Sequence, residues 1–149
     1  MTQIILNTVI NAPIQKVFDL SLDIDFHTQS ASQTKEEAIA GITSGQIGFG
    51  ETVTWRGKHF GLWLTHTSLI SEHQSPNFFV DEMIKGGFKK FRHEHHFRVS
   101  GLQTHMQDIL NYEAPYGFIG EIIDQILLKN HLTQFLKIRN SRLKKALEL

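Results

Sequence analysis

Residues 88–99 read FKKFRHEHHFRV, which sets three histidines and a glutamate among lysines and arginines. Imidazole changes charge near neutral pH and is also a common metal ligand. Such a run could therefore hold a metal, move a proton, or recognise the polar end of a ligand. The stretch alternates like a β-strand, so Phe91, His93, His95, Phe97 and Val99 share one face and Lys90, Arg92, Glu94, His96 and Arg98 share the other. The first set is the more apolar and is expected to face inward. His93 and His95 then stand with Cα atoms ~6.6 Å apart, twice the strand rise, close enough for their rings to converge.

A shared metal needs further ligands from other segments, and His27, His59, Asp81, Glu82 and Asp108 are the available donors. None has diagnostic local spacing. HEHHF also departs from the metalloprotease pattern H-E-x-x-H, because Phe97 stands where the second histidine belongs. With no cysteine in the chain, thiolate catalysis, disulfides and sulfur-ligated metals are excluded. No metal and no other cofactor is therefore expected.

A buried carboxylate is the alternative partner for these histidines. Thr104, Met106, Asp108, Leu110 and Tyr112 share a face of the following strand, and its apolar members mark that face as inward. An unpaired buried carboxylate costs several kcal/mol or protonates, so Asp108 is expected to pair with His93 or His95. Such a pair could tie two strands together, orient a bound ligand, or raise the imidazole's pKa for general base catalysis. Asp108, His93 and His95 are accordingly the catalytic candidates. Asp81 and Glu82 must split between the two faces of their strand, and the pattern does not rank them.

The elements that position these groups are legible in outline. The chain has 149 residues, 15 Lys+Arg against 15 Asp+Glu, and a pI near 7.1. That length predicts one domain spanning 1–149. The balanced charge lacks the basic field of a nucleic-acid binder, so no nucleic-acid partner is expected. MTQIILNTVINAP has no basic region before its apolar residues, and nowhere do ~18 apolar residues run together, so no stable membrane insertion and a cytoplasmic location are expected.

Alternation predicts a first strand through Ile10. Pro13 starts a helix carrying Ile14, Val17 and Phe18, and Asp23 caps a second short one with Phe26 and His27. GITSGQIGFG (41–50) reads as a loop. It lacks the lysine and hydroxyl of a phosphate-binding P-loop, and the chain contains no G-x-S-x-G elbow. Strand text parted by short turns runs from Glu51 to Tyr112, which implies antiparallel neighbours. The tail from Tyr116 to Leu149 is a long helix with a split apolar pattern: Ile119, Ile122, Ile123, Ile126 and Leu127 lie on one face, and Leu128, Leu132, Phe135, Leu136, Leu143 and Leu147 lie nearly opposite. It either kinks near Leu128–Asn130 or is contacted all round in its first part. Its basic residues Lys137, Arg139, Arg142, Lys144 and Lys145 read as a solvated end that complements the helix dipole. The whole is an α+β pattern, and one helix cannot fill the hollow of a curled sheet of six to seven strands.

Several blocks carry more than pattern. APIQKVFDLSLDIDFHTQS, GETVTWRGKHFG, FVDEMIKGGFKKFRHEHHF and APYGFIGEIIDQILLKNHL followed by RN resemble the START-like, or SRPBCC, superfamily, and within it the cyclase/dehydrase-like bacterial proteins. The resemblance runs from about Ile10 to Leu143. It implies a helix-grip fold, in which a curved antiparallel sheet wraps a long C-terminal helix, with two short helices after the first strand. It also implies an internal cavity that binds a small hydrophobic molecule, lipid-, sterol- or polyketide-like. Non-catalytic binding, carriage or sensing is the expected use; a polyketide cyclase/dehydratase- or hydrolase-like enzyme using an Asp–His pair is the alternative. Trp55, His59, Phe79, Met83, Phe91, His93, His95, Met106, Asp108, Leu110, Ile123 and Leu127 are the expected ligand-binding residues, with His59 at a tunnel mouth.

Overall fold

Alternation of buried and exposed residues sets the strands: β1 Thr2–Ile10, β2 Glu37–Gly41, β3 Thr52–His59, β4 Leu62–Gln74, β5 Phe78–Lys85, β6 Lys90–Ser100 and β7 Gln103–Glu113. In the computed structural model, which describes Met1–Glu148, these form one antiparallel sheet in the order β1-β7-β6-β5-β4-β3-β2. β2 to β7 form a meander, joined by the 42–51 loop between β2 and β3 and by short turns thereafter, and β1 closes it beside β7. Register shifts in β2 and at two points in β4 bend the sheet. β2 falls in the polar stretch that the sequence left without an element. It is a short edge strand, mostly exposed, so it carries no apolar alternation to read.

Helices α1 (Ile14–Ser21) and α2 (Ile24–Ser30) follow β1, and the side chain of Asp23 accepts the N–H of Phe26 at 2.8 Å to cap α2. Val17 and Phe18 press α1 onto the sheet, where the Phe18 ring meets Phe79 and Phe97 edge-on at 5.6 and 5.4 Å. The C-terminal helical stretch comprises α3 (Gly117–Ile123), a π-helical turn (Asp124–Leu128) and α4 (Lys129–Leu147). Leu149, read with this helix in the sequence, lies outside the described residues.

The π-turn explains the split apolar pattern. One extra residue in the turn rotates the remainder of the helix by roughly 100°, so two stripes coexist in one continuous helical rod. Asp124, Leu128, Leu132, Leu136, Asn140 and Leu143 face the sheet, while Ile119, Ile122, Ile123, Ile126 and Leu127 are 43–68% exposed. Ile123 and Leu127 therefore do not line the interior, and the first part of the rod is not contacted all round. It is held by a polar pin instead: Asp124, 6% exposed, accepts the hydroxyls of Tyr112 and Thr2.

The tail is not simply solvated either. Arg142 donates to the carbonyl oxygen of Ser30 at 2.6 Å and to Gln33 Oε1 at 2.9 Å, fastening α4 to the end of α2. Arg139 turns inward.

Candidate functional site

β5, β6 and β7 are consecutive neighbours, and their inward faces bring Asp81, His93, His95 and Asp108 together. In register, Asp81 lies opposite His93 and Asp108 opposite His95, yet the hydrogen bonds run diagonally. Asp81 Oδ2 is 2.6 Å from His95 Nε2, and Asp108 Oδ1 is 2.8 Å from His93 Nε2. The two imidazoles lie against each other with centroids 3.8 Å apart, and Phe79 stacks on the outer face of His95 at 4.0 Å.

α4 completes this centre from above. Arg139 donates to Asp108 Oδ1 at 2.7 Å, Asn140 donates to Asp108 Oδ2 at 2.7 Å, and Arg139 also binds Asn140 Oδ1 at 2.8 Å. Asp108 is fully buried. Burial alone would raise its carboxyl, but the Arg139 charge, with His93 and His95, reverses this and holds it well below the usual carboxylate range. Asp81 behaves alike: burial opposes ionisation, and the His95 hydrogen bond with both histidines' charges holds its carboxyl low. Burial, and then the neighbouring His93, push the His95 imidazole down to about 4 against the pull of Asp81. Glu82, which the sequence could not separate from Asp81, faces outward and accepts from Arg92 at 2.9 Å.

The centre forms one wall of a cavity of about 170 Å³ between the sheet, α2 and α4. Of the residues named from the sequence, Trp55, His59, Phe79, Phe91, His93, His95 and Leu110 contribute to its wall. Five expected lining residues do not. Met106 is fully buried in the core under α1, Asp108 sits behind the two histidines, and Met83 lies beside Gly86 at the far end of β5. Ile123 and Leu127 are excluded by the π-turn described above. In their place the opposite helical stripe supplies Leu132, Phe135 and Leu136, and the sheet and loops add Ser68, His66 and Phe88. Arg139 and Asn140 were the RN pair among the resembling blocks, and that pairing was the sequence signal for them.

A second polar group adjoins the same cavity. Glu36 lies between His27 and His59, with oxygens 4.0 and 3.7 Å from their Nε2 atoms, and His59 Nδ1 is 2.9 Å from His131 Nε2. Gly57 makes the room: a Cβ there would stand 1.7 Å from Glu36 Oε2. Burial would raise Glu36, but hydrogen bonds and charge from His27 and His59 bring it to about 2, from 4.5. A carboxyl depressed on folding contributes stability above its unfolded pKa and loses it as pH falls through the folded one. The stability gap between the wild type and Glu36→Gln is therefore expected to be open at pH 5–6 and to close between about pH 4.5 and 2, as acid-unfolding curves of the two proteins will record.

No protein-family model matches the chain, and no curated protein matches it. Solved structures match it over nearly its full length. A protein of Thermus thermophilus aligns with TM-score 0.76 at 18% identity, covering 97% of this chain and 99% of that one. A START superfamily protein from Mycobacterium smegmatis aligns with TM-score 0.72 at 13% identity, covering 97% and 98%. The ginseng major latex-like protein 151 from Panax ginseng aligns with TM-score 0.70 at 13% identity, covering 98% and 97%. With a seven-stranded curved antiparallel sheet gripping a long C-terminal helix, this chain has the START-like (SRPBCC) helix-grip fold.

Proposed function

We propose that this protein binds and carries a small amphipathic molecule, its apolar body in the cavity and its polar end against the Asp81–His93–His95 wall. The observation that carries the reading is the combination of an aromatic and aliphatic lining with titratable groups gathered at one place in it. Its volume bounds the ligand. About 170 Å³ exceeds slightly the roughly 150 Å³ that admits a benzene ring. A single ring or short chain with one polar substituent enters directly, as a fragment of polyketide character would. A whole sterol or long lipid requires α2 or α4 to move outward. The narrower likeness to cyclase/dehydrase-like bacterial proteins rests on the sequence blocks.

The enzymatic alternative, a cyclase/dehydratase- or hydrolase-like reaction, draws on the His93–Asp108 pair. Its difficulty is geometric. The remaining nitrogen of His93 lies 3.8 Å from Asp81 Oδ2, and Nε2 of His95 lies 2.6 Å from the same oxygen. Both imidazoles thus turn these nitrogens toward the Asp81 carboxylate, which competes with a substrate for them. Carriage without turnover fits this arrangement better.

Filling the cavity tests the reading. Ser68 is buried, small, and on the cavity wall. Ser68→Phe is expected to lower affinity for naphthol- and benzoate-type probes at least 10-fold by calorimetry, with the melting temperature held or raised. Undiminished probe binding by a folded Ser68→Phe protein would sink the cavity reading. Native mass spectrometry of protein from its own host identifies the molecule carried.

A further inference from the structure

We infer that Asp81, His93 and His95 form a binding site for one divalent transition-metal ion, with Asp108 as the carboxylate that orients both imidazoles. In the sequence no third ligand has diagnostic spacing, so no metal is expected from it. The sheet supplies that ligand from β5. One ligand atom from each of Asp81, His93 and His95 lies within 4.8 Å of the others, His93 Nδ1 and His95 Nε2 are 3.8 and 2.6 Å from Asp81 Oδ2, and all three residues come from adjacent strands rather than mobile loops. An ion bound to nitrogen and oxygen ligands at about 2.0–2.2 Å fits between them after shifts of a few tenths of an ångström.

The hydrogen-bonding of His95 gives an independent reason. Its Nδ1 is buried and has no hydrogen-bond partner, and Asp108 Oδ1 stands 3.5 Å away. If the ring's proton sits on Nε2, the Nδ1 lone pair faces the Asp108 carboxylate; if it sits on Nδ1, the Nε2 lone pair faces Asp81 at 2.6 Å. Neither neutral tautomer satisfies both sides. An ion at Nε2 resolves the conflict, because the proton then belongs on Nδ1 and points to Asp108. His93 follows the same logic: with Nδ1 toward the ion, its Nε2–H donates to Asp108 Oδ1 at 2.8 Å. Metal-binding histidines characteristically donate their other N–H to a carboxylate or carbonyl; here Asp108 takes that place for His93 and stands 3.5 Å from Nδ1 of His95. Arg139 and Asn140 hold that carboxylate in turn.

Charge points the same way. Two carboxylates, Asp81 and Asp108, face the one guanidinium of Arg139 at the centre, so a further cation is favoured there. Two imidazoles and a carboxylate, with no sulfur, suit Zn²⁺, Fe²⁺ or Co²⁺ over soft ions and over Ca²⁺ or Mg²⁺. Coordination positions left open face the cavity, where a carboxylate, phenol or ketone oxygen of an apolar ligand could complete the shell. The site stands on the geometry of the centre and holds whether or not a ligand fills the cavity.

Chelator-stripped, untagged protein titrated with Co²⁺ tests it. The expected result is one ion per chain with micromolar or tighter affinity, a visible absorption band, and two paramagnetically shifted exchangeable N–H resonances, one from His93 Nε2–H and one from His95 Nδ1–H. Asp81→Ala and His95→Ala are expected to weaken binding at least 100-fold. Asp108→Asn weakens it about 10–100-fold, as loss of an orienting partner does. His131→Ala, which breaks the His59–His131 pair, leaves it unchanged. Absence of stoichiometric binding by the wild type, absence of the two shifted N–H signals, or binding lost in His131→Ala and kept in Asp81→Ala overturns the inference. The wild-type spectra decide the matter even where a variant fails to fold, and probe binding by the metal-free protein separates this result from the cavity reading.

Discussion

Arg139→Met is expected to destabilise the fold by about 3–5 kcal/mol, the scale for removing one partner of a buried ion pair. At this chain length each kcal/mol moves the melting temperature by about 2–4 °C, so a fall of roughly 6–20 °C is expected. The reason is the charge that remains behind. Asp108 is fully buried, and without the guanidinium 2.7 Å away its charge rests on one imidazole and one amide. The loss therefore measures an abandoned charge rather than the worth of the pair. Asp108→Asn in the Arg139→Met background removes that charge while keeping a group of the same shape to bond His93 and Asn140. This double variant is expected to recover at least half the loss, a coupling of about 1–3 kcal/mol in a double-mutant cycle read by urea unfolding. Strict additivity of the two single effects would mean that Asp108 and Arg139 act separately, against the geometry.

The same pair marks where sequence reading succeeded and where it stopped. The inward phase of β6 and β7 was legible because period-two alternation with apolar neighbours fixes a strand's faces, and Asp108 had to find a partner among the histidines opposite. Arg139 was not legible as that partner. A basic residue in the last turns of a helix reads as solvated unless one knows that the helix crosses directly above a buried carboxylate, which is a tertiary fact. Asp81 and Glu82 show a related limit. Both neighbours on their strand are apolar, and only the pairing with β6 decides that Asp81 meets His95 and Glu82 meets Arg92. The lining supplied by α4 was misread for a local reason. Its two apolar stripes are real, but a π-turn stabilised by the buried Asp124 chooses which one faces in, and a five-residue irregularity leaves no compositional trace. β2 escaped notice because an exposed edge strand has no apolar face to reveal it.

Phe79→Ala is expected to cost about 3–5 kcal/mol and at the same time to enlarge the binding cavity. Phe79 is 2% exposed and has two roles: its ring closes the wall of the cavity against His95, and it meets Phe18 of α1 edge-on at 5.6 Å. Phe97 provides the comparison. It lies beside Phe79 with centroids 6.0 Å apart and packs on the same Phe18, yet it is not part of the cavity wall. Phe97→Ala is expected to lose similar stability in urea and to keep the wild-type preference among probes. Phe79→Ala is expected to shift that preference from single-ring to two-ring probes by about 10-fold or more, because the space once held by its ring joins the existing hollow. Equal preferences in the two variants, measured by calorimetry on folded protein, would show that the region around Phe79 only fills the core and that the ligand site lies elsewhere. Unequal ones would tie selectivity to the wall on which the His95 imidazole is stacked, so that ligand size and the polar centre are set by the same aromatic contact.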